Sequence, residues 1–210
     1  MSPGQRAISV VSIPDIRDYA RINAELVRQL DAGSARVRLV GAAGHRLLAA
    51  GLSGSWSAVI EIEGDAGPEL AAELDAPGLV VVCRGSSGDG AGRGLKSGRL
   101  VILGGAGDAL GYTQAGGTVV ASGQAGHRPG LDLAGGTLLL LGHAGRLVAE
   151  RQSGGLIFAY ADCVGRHPGF SRRGGRLVLF RDDESDDPGD VLAFQAAMHE
   201  FTPWLGSHSR

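Results

Sequence analysis

The sequence has few cysteines and almost no net charge. Cys83 and Cys163 are its only two cysteines, and no Cys-x-x-Cys pair occurs. This pattern excludes a disulfide framework and gives no zinc or iron–sulfur motif, so reduced thiols in a cytoplasmic protein fit best. The 20 Lys and Arg residues nearly balance the 22 Asp and Glu residues. The chain therefore lacks a basic field that would attract nucleic acids or anionic membranes, and we expect neither as a partner.

Long apolar runs are also missing. No stretch approaches the roughly 18 apolar residues of a membrane span, and the first residues, MSPGQRAISVVSIPD, lack the pattern of a signal peptide. We therefore expect a cytoplasmic location. The 210 residues, 43% of them hydrophobic, are sufficient for one folded body with its own core.

Glycine is the one residue in clear excess. It supplies 36 of the 210 residues, about 17%, against a usual share near 7%. Proline is scarce, with 8 residues, so a flexible linker is a poor explanation. Glycine at this level indicates many ordered turns that need a positive φ or a close approach between backbones.

The glycines follow an internal repeat. Segments that begin at Gly64, Gly85, Gly104, Gly123 and Gly142 share one frame, with spacings of 21, 19, 19 and 19 residues. The frame extends to both sides and gives about seven units, which we call coils. Each coil has a corner glycine, about nine further residues, a glycine or glycine pair, and a short β-rich run. These runs are Val59–Ile62, Leu79–Val82, Leu100–Leu103, Thr118–Val120, Leu138–Leu141, Leu156–Phe158 and Leu177–Phe180.

A fixed period near 20 residues is typical of a solenoid, in which each coil buries its apolar face against its neighbours. The Leu-x-x-Leu-x-Leu frame of leucine-rich repeats is absent, and left-handed hexapeptide helices have a period of about 18. We therefore predict an all-β fold: a right-handed, single-stranded parallel β-helix of about seven turns, with the aliphatic runs as its inner wall. An N-terminal strand and helix would cap it, and a short C-terminal helix would follow.

The glycines are interpreted as structural. A glycine pair stands just before four of the β-rich runs, where a Cβ would collide with the same turn of the next coil. The corner glycines keep one register along the chain. The predicted structural turn glycines are Gly88, Gly107, Gly126, Gly145, Gly165, Gly117, Gly136, Gly155 and Gly175.

The two ends differ from the repeats in composition. We predict an N-terminal cap over residues 1–36, with a strand at 7–13 and a helix over Pro14–Leu30 that begins near Pro14 or Asp15. The β-helix covers residues 37–180. Residues 181–210 form an acidic linker and a helical tail, in which Val191, Phe194, Met198 and Phe201 fall near helical spacing. This tail either caps the last coil or docks on a partner.

No motif in the repeats predicts catalytic, cofactor-binding or metal-binding residues. The segment GSSGDGAGRG at 85–94 lacks the Gly-Lys-Ser/Thr of a phosphate loop and the following helix of a dinucleotide site. His45 and His127 share one column but lie four coils apart, about 19 Å, which is too far for a common metal ion.

Basic residues cluster in the last coil, where they could meet an anionic ligand or an acidic partner; ordinary solvated turn charge is the alternative. The residues are Arg166, His167, Arg172, Arg173 and Arg176.

The units GDALGYTQAGGTVVASG, GHRPGLDLAGGTLLLLG and GRLVAERQSGGLIF resemble the GXGXG family over residues 37–180. This family comprises the C-terminal domain of the large subunit of glutamate synthase, small stand-alone subunits of related synthases, the GXGXG-repeat subunit of formylmethanofuran dehydrogenase, and its bacterial formyltransferase/hydrolase counterpart. Leu48–Gly54 and Pro77–Gly78 lack the glycine pair, which leaves the register of the first two coils open.

The resemblance implies a non-catalytic scaffold subunit with no cofactor of its own, which holds other enzyme subunits together. In the formylmethanofuran branch, which belongs to one-carbon metabolism, the partners would be an amidohydrolase-like metal subunit, a molybdopterin-type subunit or its inactive relative, and a formyltransferase. In the glutamate synthase branch they would be a glutamine amidotransferase unit and an FMN/iron–sulfur unit. The segment His167–Gly174 favours the first branch, and the brevity of the chain favours the second. A carbohydrate-active or carbohydrate-binding β-helix is a distant alternative, because an enzyme of that class needs paired carboxylates in a groove.

Overall fold

Nine parallel strands form the body of the protein. The computed structural model describes residues 8–13, 18–181 and 187–205. The strands are β1 (Ile8–Ser12), β2 (Arg36–His45), β3 (Ala58–Ala66), β4 (Asp75–Cys83), β5 (Ser97–Ile102), β6 (Thr118–Ala121), β7 (Thr137–Leu140), β8 (Leu156–Tyr160) and β9 (Arg176–Phe180). Every strand pairs in parallel with the next one along the chain, in the order β1 to β9. The predicted parallel β-solenoid of about seven coils is confirmed.

Each coil touches its neighbours along three sides. In the coil of residues 104–122, the first side is strand β6, which pairs with β5 and β7. The second side is a single bridging residue, Ala106, paired with Ser87 of the preceding coil and Ala125 of the following one. The third side is a run of turns over residues 108–113.

The third side stacks without β-strand geometry. Ala109, Gly111 and Thr113 all have left-handed backbones, with φ of 56°, 66° and 53°. Their amides donate alternately to the two neighbouring coils: Ala109 and Thr113 to the following one, at 2.8 and 2.9 Å, and Gly111 to the preceding one, at 2.8 Å. The left-handed positions recur in all seven coils. The 14 non-glycine residues with positive φ among the described residues all lie in these three columns.

Aliphatic side chains fill most of the interior. Gln114 and Gln152 are fully buried at a position that leucine holds in four other coils. The Nε2 of Gln114 donates to the carbonyl oxygens of Gly116, Gly117 and Thr137 at 3.0–3.2 Å. Gln152 makes the same three bonds two coils later. These bonds satisfy the two buried Nε2 groups, which would be costly to leave unpaired, whereas neither Oε1 atom has a partner among the described residues.

Helix α1 (Tyr19–Asp31) covers the first coil. Its N-cap is Asp18, whose carboxylate accepts from the amides of Ala20 and Arg21. One face of the helix is buried in the main core through Ile22, Leu26 and Leu30. The covered edge is the end of the solenoid that has no preceding coil.

Asn23 of α1 supplies the hydrogen bonds of the missing coil. In the coil of residues 104–122, the amide of Gly111 donates to the carbonyl of Ala91 in the coil before it. The equivalent amide in the first coil, that of Ala49, donates instead to Asn23 Oδ1 at 2.9 Å. Asn23 Nδ2 donates to two carbonyl oxygens of the same coil, at 2.9 and 3.3 Å. A single side chain thus satisfies the backbone at this end.

The N-terminal region departs from the sequence prediction in detail. The described helix begins at Tyr19, and the predicted start at Pro14 or Asp15 lies outside the described residues, as does residue 7 of the predicted strand. β1 is the first strand of the main sheet and pairs with β2. The repeat frame did not predict β2. The sequence left the register of the early coils open. In the structure, the strand pairing shifts register between β2 and β3 and between β4 and β5.

Helix α2 (Pro188–Leu205) lies across the outer face of the sheet. The strand residues that point outward pack with Phe201 and Leu205 of α2 in a second apolar core; they are Val82, Val101, Val120, Leu139, Phe158, Val178 and Phe180. The Phe194 ring lies 4.7 Å from that of Phe180 at one end, and Arg36 lies 5.6 Å from the Trp204 ring at the other. Of the two alternatives left open for this tail, capping of the last coil does not describe the packing, because α2 covers the side of the sheet; docking on a partner stays a prediction.

We expect Asn23→Ala to destabilise the fold by about 1–3 kcal/mol, because the Ala49 amide then loses its acceptor. Urea unfolding measures the change, and hydrogen exchange at the Ala49 amide should become faster. Arg21→Ala is the control, since this side chain is 80% exposed on the same helix. Equal unfolding midpoints for Asn23→Ala and wild type would contradict the capping role.

We expect Gly136→Ala to destabilise the fold far more than Gly44→Ala. The two glycines have matching φ values, 75° and 73°. A Cβ at Gly136 would lie 2.5 Å from backbone atoms of the preceding coil, whereas a Cβ at Gly44 would meet nothing within 4 Å. Left-handed strain alone costs about 1–2 kcal/mol, so a Gly136→Ala loss of only that size would show that coil stacking does not require glycine there.

Candidate functional site

Few reactive groups come together in the described part of the chain. No cluster of three or more His, Cys, Asp or Glu residues there could hold a metal ion. Cys83 is buried, and burial raises the pKa of its thiol, which favours the unreactive protonated form. Cys163 is partly exposed and has no disulfide partner. Among these residues, no helix is long and apolar enough to cross a bilayer.

The second half of the glycine-rich segment 85–94 belongs to the third side of its coil, whereas Ser87 is a bridging residue of the second side. Gly90, Gly92 and Gly94 occupy the three left-handed positions of that side, with φ of 68°, 66° and 63°. Their amides donate to the carbonyl oxygens of Asp108, Leu70 and Tyr112, each at 2.8 Å. A phosphate loop needs free amides that point at the ligand. These amides are already bonded, so the segment stacks coils.

The glycines predicted to be structural fall into two groups. The pair glycines Gly117, Gly136, Gly155 and Gly175 have positive φ, whereas the corner glycines have ordinary φ and are crowded by the preceding coil. A Cβ on Gly107, for example, would lie 2.7 Å from the Asp89 amide nitrogen. Equivalent crowding by the preceding coil surrounds Gly88, Gly126, Gly145 and Gly165.

The residues that follow the corner glycines form a ladder of hydrogen bonds. Asp89 Oδ1 accepts from the amide of Asp108 at 2.8 Å, and Asp108 Oδ1 accepts from the amide of His127 at 2.7 Å. His127 Nδ1 accepts from the amide of Arg146 at 3.3 Å. A shallow groove of about 490 Å³ lies beside this ladder. The ladder acceptors of Asp89, Asp108 and His127 are occupied by backbone amides of the following coil, so this part of the column stacks coils. His45, in the same column, accepts instead from the amide of Ala43 in its own coil, at 3.2 Å.

The five basic residues predicted as one cluster separate in the structure. Arg176 begins β9 and pairs with Asp187, at 3.0 Å, and with Asp190, which attaches it to the start of α2. Arg166 and His167 lie at one corner of the last coil, and Arg172 and Arg173 follow the left-handed residue at position 171; all four are exposed. Within the described residues, no carboxylate lies within ion-pair distance of Arg166 or Arg172.

In the last coil, residues 162–180, two backbone amides lack the acceptors that their equivalents in earlier coils have among the described residues. The amides of Leu147 and Arg151 donate to the carbonyls of Arg166 and Phe170, at 2.9 and 3.0 Å. One coil later, the equivalent amides are those of His167 and Ser171, and neither has an acceptor among the described residues. Sequence reasoning identified the charges of this coil but missed these donors, because they follow from the ending of the stack.

Similarity to known proteins appears at the level of structure. No family model and no curated protein matches the chain. A solved structure does match: the formyltransferase/hydrolase complex FhcABCD from Methylorubrum extorquens, in complex with methylofuran. The chain is similar to one subunit of that complex. The identity is 29% and the TM-score 0.66, over 80% of this chain and 68% of the other. Likeness over most of both chains supports the β-solenoid and relates it to a multi-subunit assembly.

We expect Asp108→Ala to destabilise the fold by about 0.5–1.5 kcal/mol, because the His127 amide loses its acceptor in the ladder. Asp108→Asn keeps an oxygen at that position and should retain most of the stability. Chemical unfolding of the three proteins gives the comparison. If the asparagine variant lost as much stability as the alanine variant, the carboxylate charge and not the ladder bond would be responsible.

Proposed function

We propose that this chain is a non-catalytic structural subunit of a multi-subunit enzyme of one-carbon metabolism, of the formyltransferase/hydrolase type. The observation that carries the proposal is the match to a chain of FhcABCD at 29% identity over 80% of this chain. The subunits that carry the chemistry, and any metal or pterin cofactor, would be other chains of the complex. We further propose that the complex is cytoplasmic.

The hydrogen bonding of the repeats supports a structural role. The third side uses its amides to bind neighbouring coils, and the corner ladder uses its side-chain acceptors in the same way. A catalytic site needs polar groups that are free to bind a substrate and to exchange protons with it. Groups already engaged in stacking are unsuited to this, whereas the rigid outer surfaces that they create are suited to holding other subunits.

The match also favours the formyltransferase/hydrolase branch over the glutamate synthase branch. Both branches share the glycine-rich repeat, so the repeat alone does not separate them. The measured similarity is to a chain of the formyltransferase/hydrolase assembly. We therefore propose that branch, and we propose partners of the corresponding kind: an amidohydrolase-like metal subunit, a molybdopterin-type subunit or its inactive relative, and a formyltransferase.

Affinity purification of the tagged chain from its source organism tests the proposal. We expect it to bring down formyltransferase and amidohydrolase-like subunits in fixed stoichiometry, identified by mass spectrometry. The complex should release or transfer formyl groups, and the isolated chain should do neither. Recovery of a glutamine amidotransferase would favour the glutamate synthase branch, and a chain recovered only alone or with copies of itself would refute the structural role.

A further inference from the structure

The two ends of the solenoid are finished differently. At the first coil, α1 covers the core, and Asn23 accepts from the Ala49 amide that lacks a preceding coil. At the last coil, the amides of His167 and Ser171 face the position of a following coil and find no acceptor among the described residues. The C-terminal end surface, defined as the exposed face of residues 162–180, is therefore an incomplete stacking surface.

Strand β9 adds further donors to this surface. The Arg176 amide donates to the Gly155 carbonyl at 2.9 Å, so it faces back toward β8. In a parallel ladder alternate residues face opposite neighbours, so the amides and carbonyls of Leu177 and Leu179 face away from β8. β9 is the last strand of the described sheet. No strand among the described residues pairs with this edge of β9, and an unpaired strand edge is a template for an added extended segment.

Apolar side chains lie beside these donors. The inward side chains of Leu177 and Leu179 are only partly buried, whereas their equivalents in the coil before, Ile157 and Ala159, are buried. Phe170 is 55% exposed on the same coil. The missing layer thus exposes part of the main core, and covering it would be favourable by about 25 cal/mol for each Å² of apolar surface removed from water.

The positive charges of this surface favour an acidic partner. Arginines elsewhere in the described solenoid mostly have a carboxylate partner, as Arg151 has in Asp132 at 2.6 Å. Arg166 and Arg172 have none among the described residues, and Arg173 and His167 stand beside them. A second copy docked through the same surface would bring these like charges together. An acidic segment would pair with them and accept from the free amides.

We propose that the C-terminal end surface binds an acidic, extended segment of a partner subunit, which adds to the edge of β9 that no described strand covers. The inference rests on the proposed function, because it assigns a surface to the assembly of the complex. The backbone carbonyl oxygens of the segment would accept from the amides of His167 and Ser171, as the carbonyls of a following coil would. Its Asp or Glu side chains would pair with Arg166 and Arg172, and its apolar residues would cover Leu177 and Phe170.

The test uses charge reversal in the tagged full-length chain. Arg166→Glu/Arg172→Glu changes two exposed side chains of the end surface. Arg46→Glu/Lys96→Glu is the control, with the same change in net charge on exposed residues of the first and third coils. We expect the first pair to reduce recovery of the partner subunits by about tenfold or more, and the control to leave it near the wild-type level. Thermal unfolding by circular dichroism checks that both variants fold.

Crosslinking locates the contact independently. A photo-reactive phenylalanine analogue placed at position 170 should crosslink to an acidic peptide of a co-purifying subunit. The same analogue at position 19, which is also exposed but lies on α1, should not react with that peptide. Mass spectrometry of the crosslinked peptides identifies the contact.

The outcomes separate this inference from the proposed function. If the wild-type chain recovers its partners but the Arg166→Glu/Arg172→Glu variant recovers them equally well, the surface assignment is wrong and the structural role stands. A crosslink from position 170 to a second copy, or within the same chain, would also overturn it. If the wild-type chain recovers no partner subunit, the proposed function fails and this inference fails with it.

Discussion

Hydrogen bonding from coil to coil is the constraint on which this structure depends. Each coil satisfies its backbone through its two neighbours, along a sheet, a bridge and a side of alternating left-handed residues. Strand neighbours in a sheet lie about 4.8 Å apart, and where the chain turns that closely against itself a Cβ has no room. The glycine excess follows from this distance. The first coil has no complete coil before it, so the Oδ1 of Asn23 replaces the backbone carbonyl that would accept from Ala49.

The repeated features were predictable from the sequence. The period, the positions of β3 to β9 and the general need for glycine all follow from a frame that returns every 19 to 21 residues. The third side was not predictable in detail, because Glu69, Arg128 and Asp132 would be unfavourable at positive φ in an isolated chain. Hydrogen bonds to the adjacent coils compensate for that strain. Local sequence preferences cannot predict these bonds, because their partners lie in other coils. Asn23 acts on residues 24 and 26 positions away, so no local pattern predicts its role.

The continuous apolar runs indicate more than an inner wall. The sequence prediction placed the aliphatic runs on the inner wall, yet in a strand alternate side chains face opposite sides. A continuous apolar run therefore indicates a sheet that is covered on both faces. In the structure, Val101, Val120 and Leu139 face outward and are buried under α2. Of the five basic residues grouped from the sequence, Arg176 pairs with acidic residues at the start of α2, and the other four are exposed on the end coil.

The course of α2 bears on how the protein unfolds. A solenoid whose coils contact only their neighbours can fray from its ends, coil by coil. Here the helix packs on outward residues from β4 to β9 and reaches Arg36 on β2. Losing an end coil therefore also loosens the helix from strands at the other end. We therefore expect the stack to unfold as one cooperative body, in which a load applied to either end is shared by the sheet and the helix.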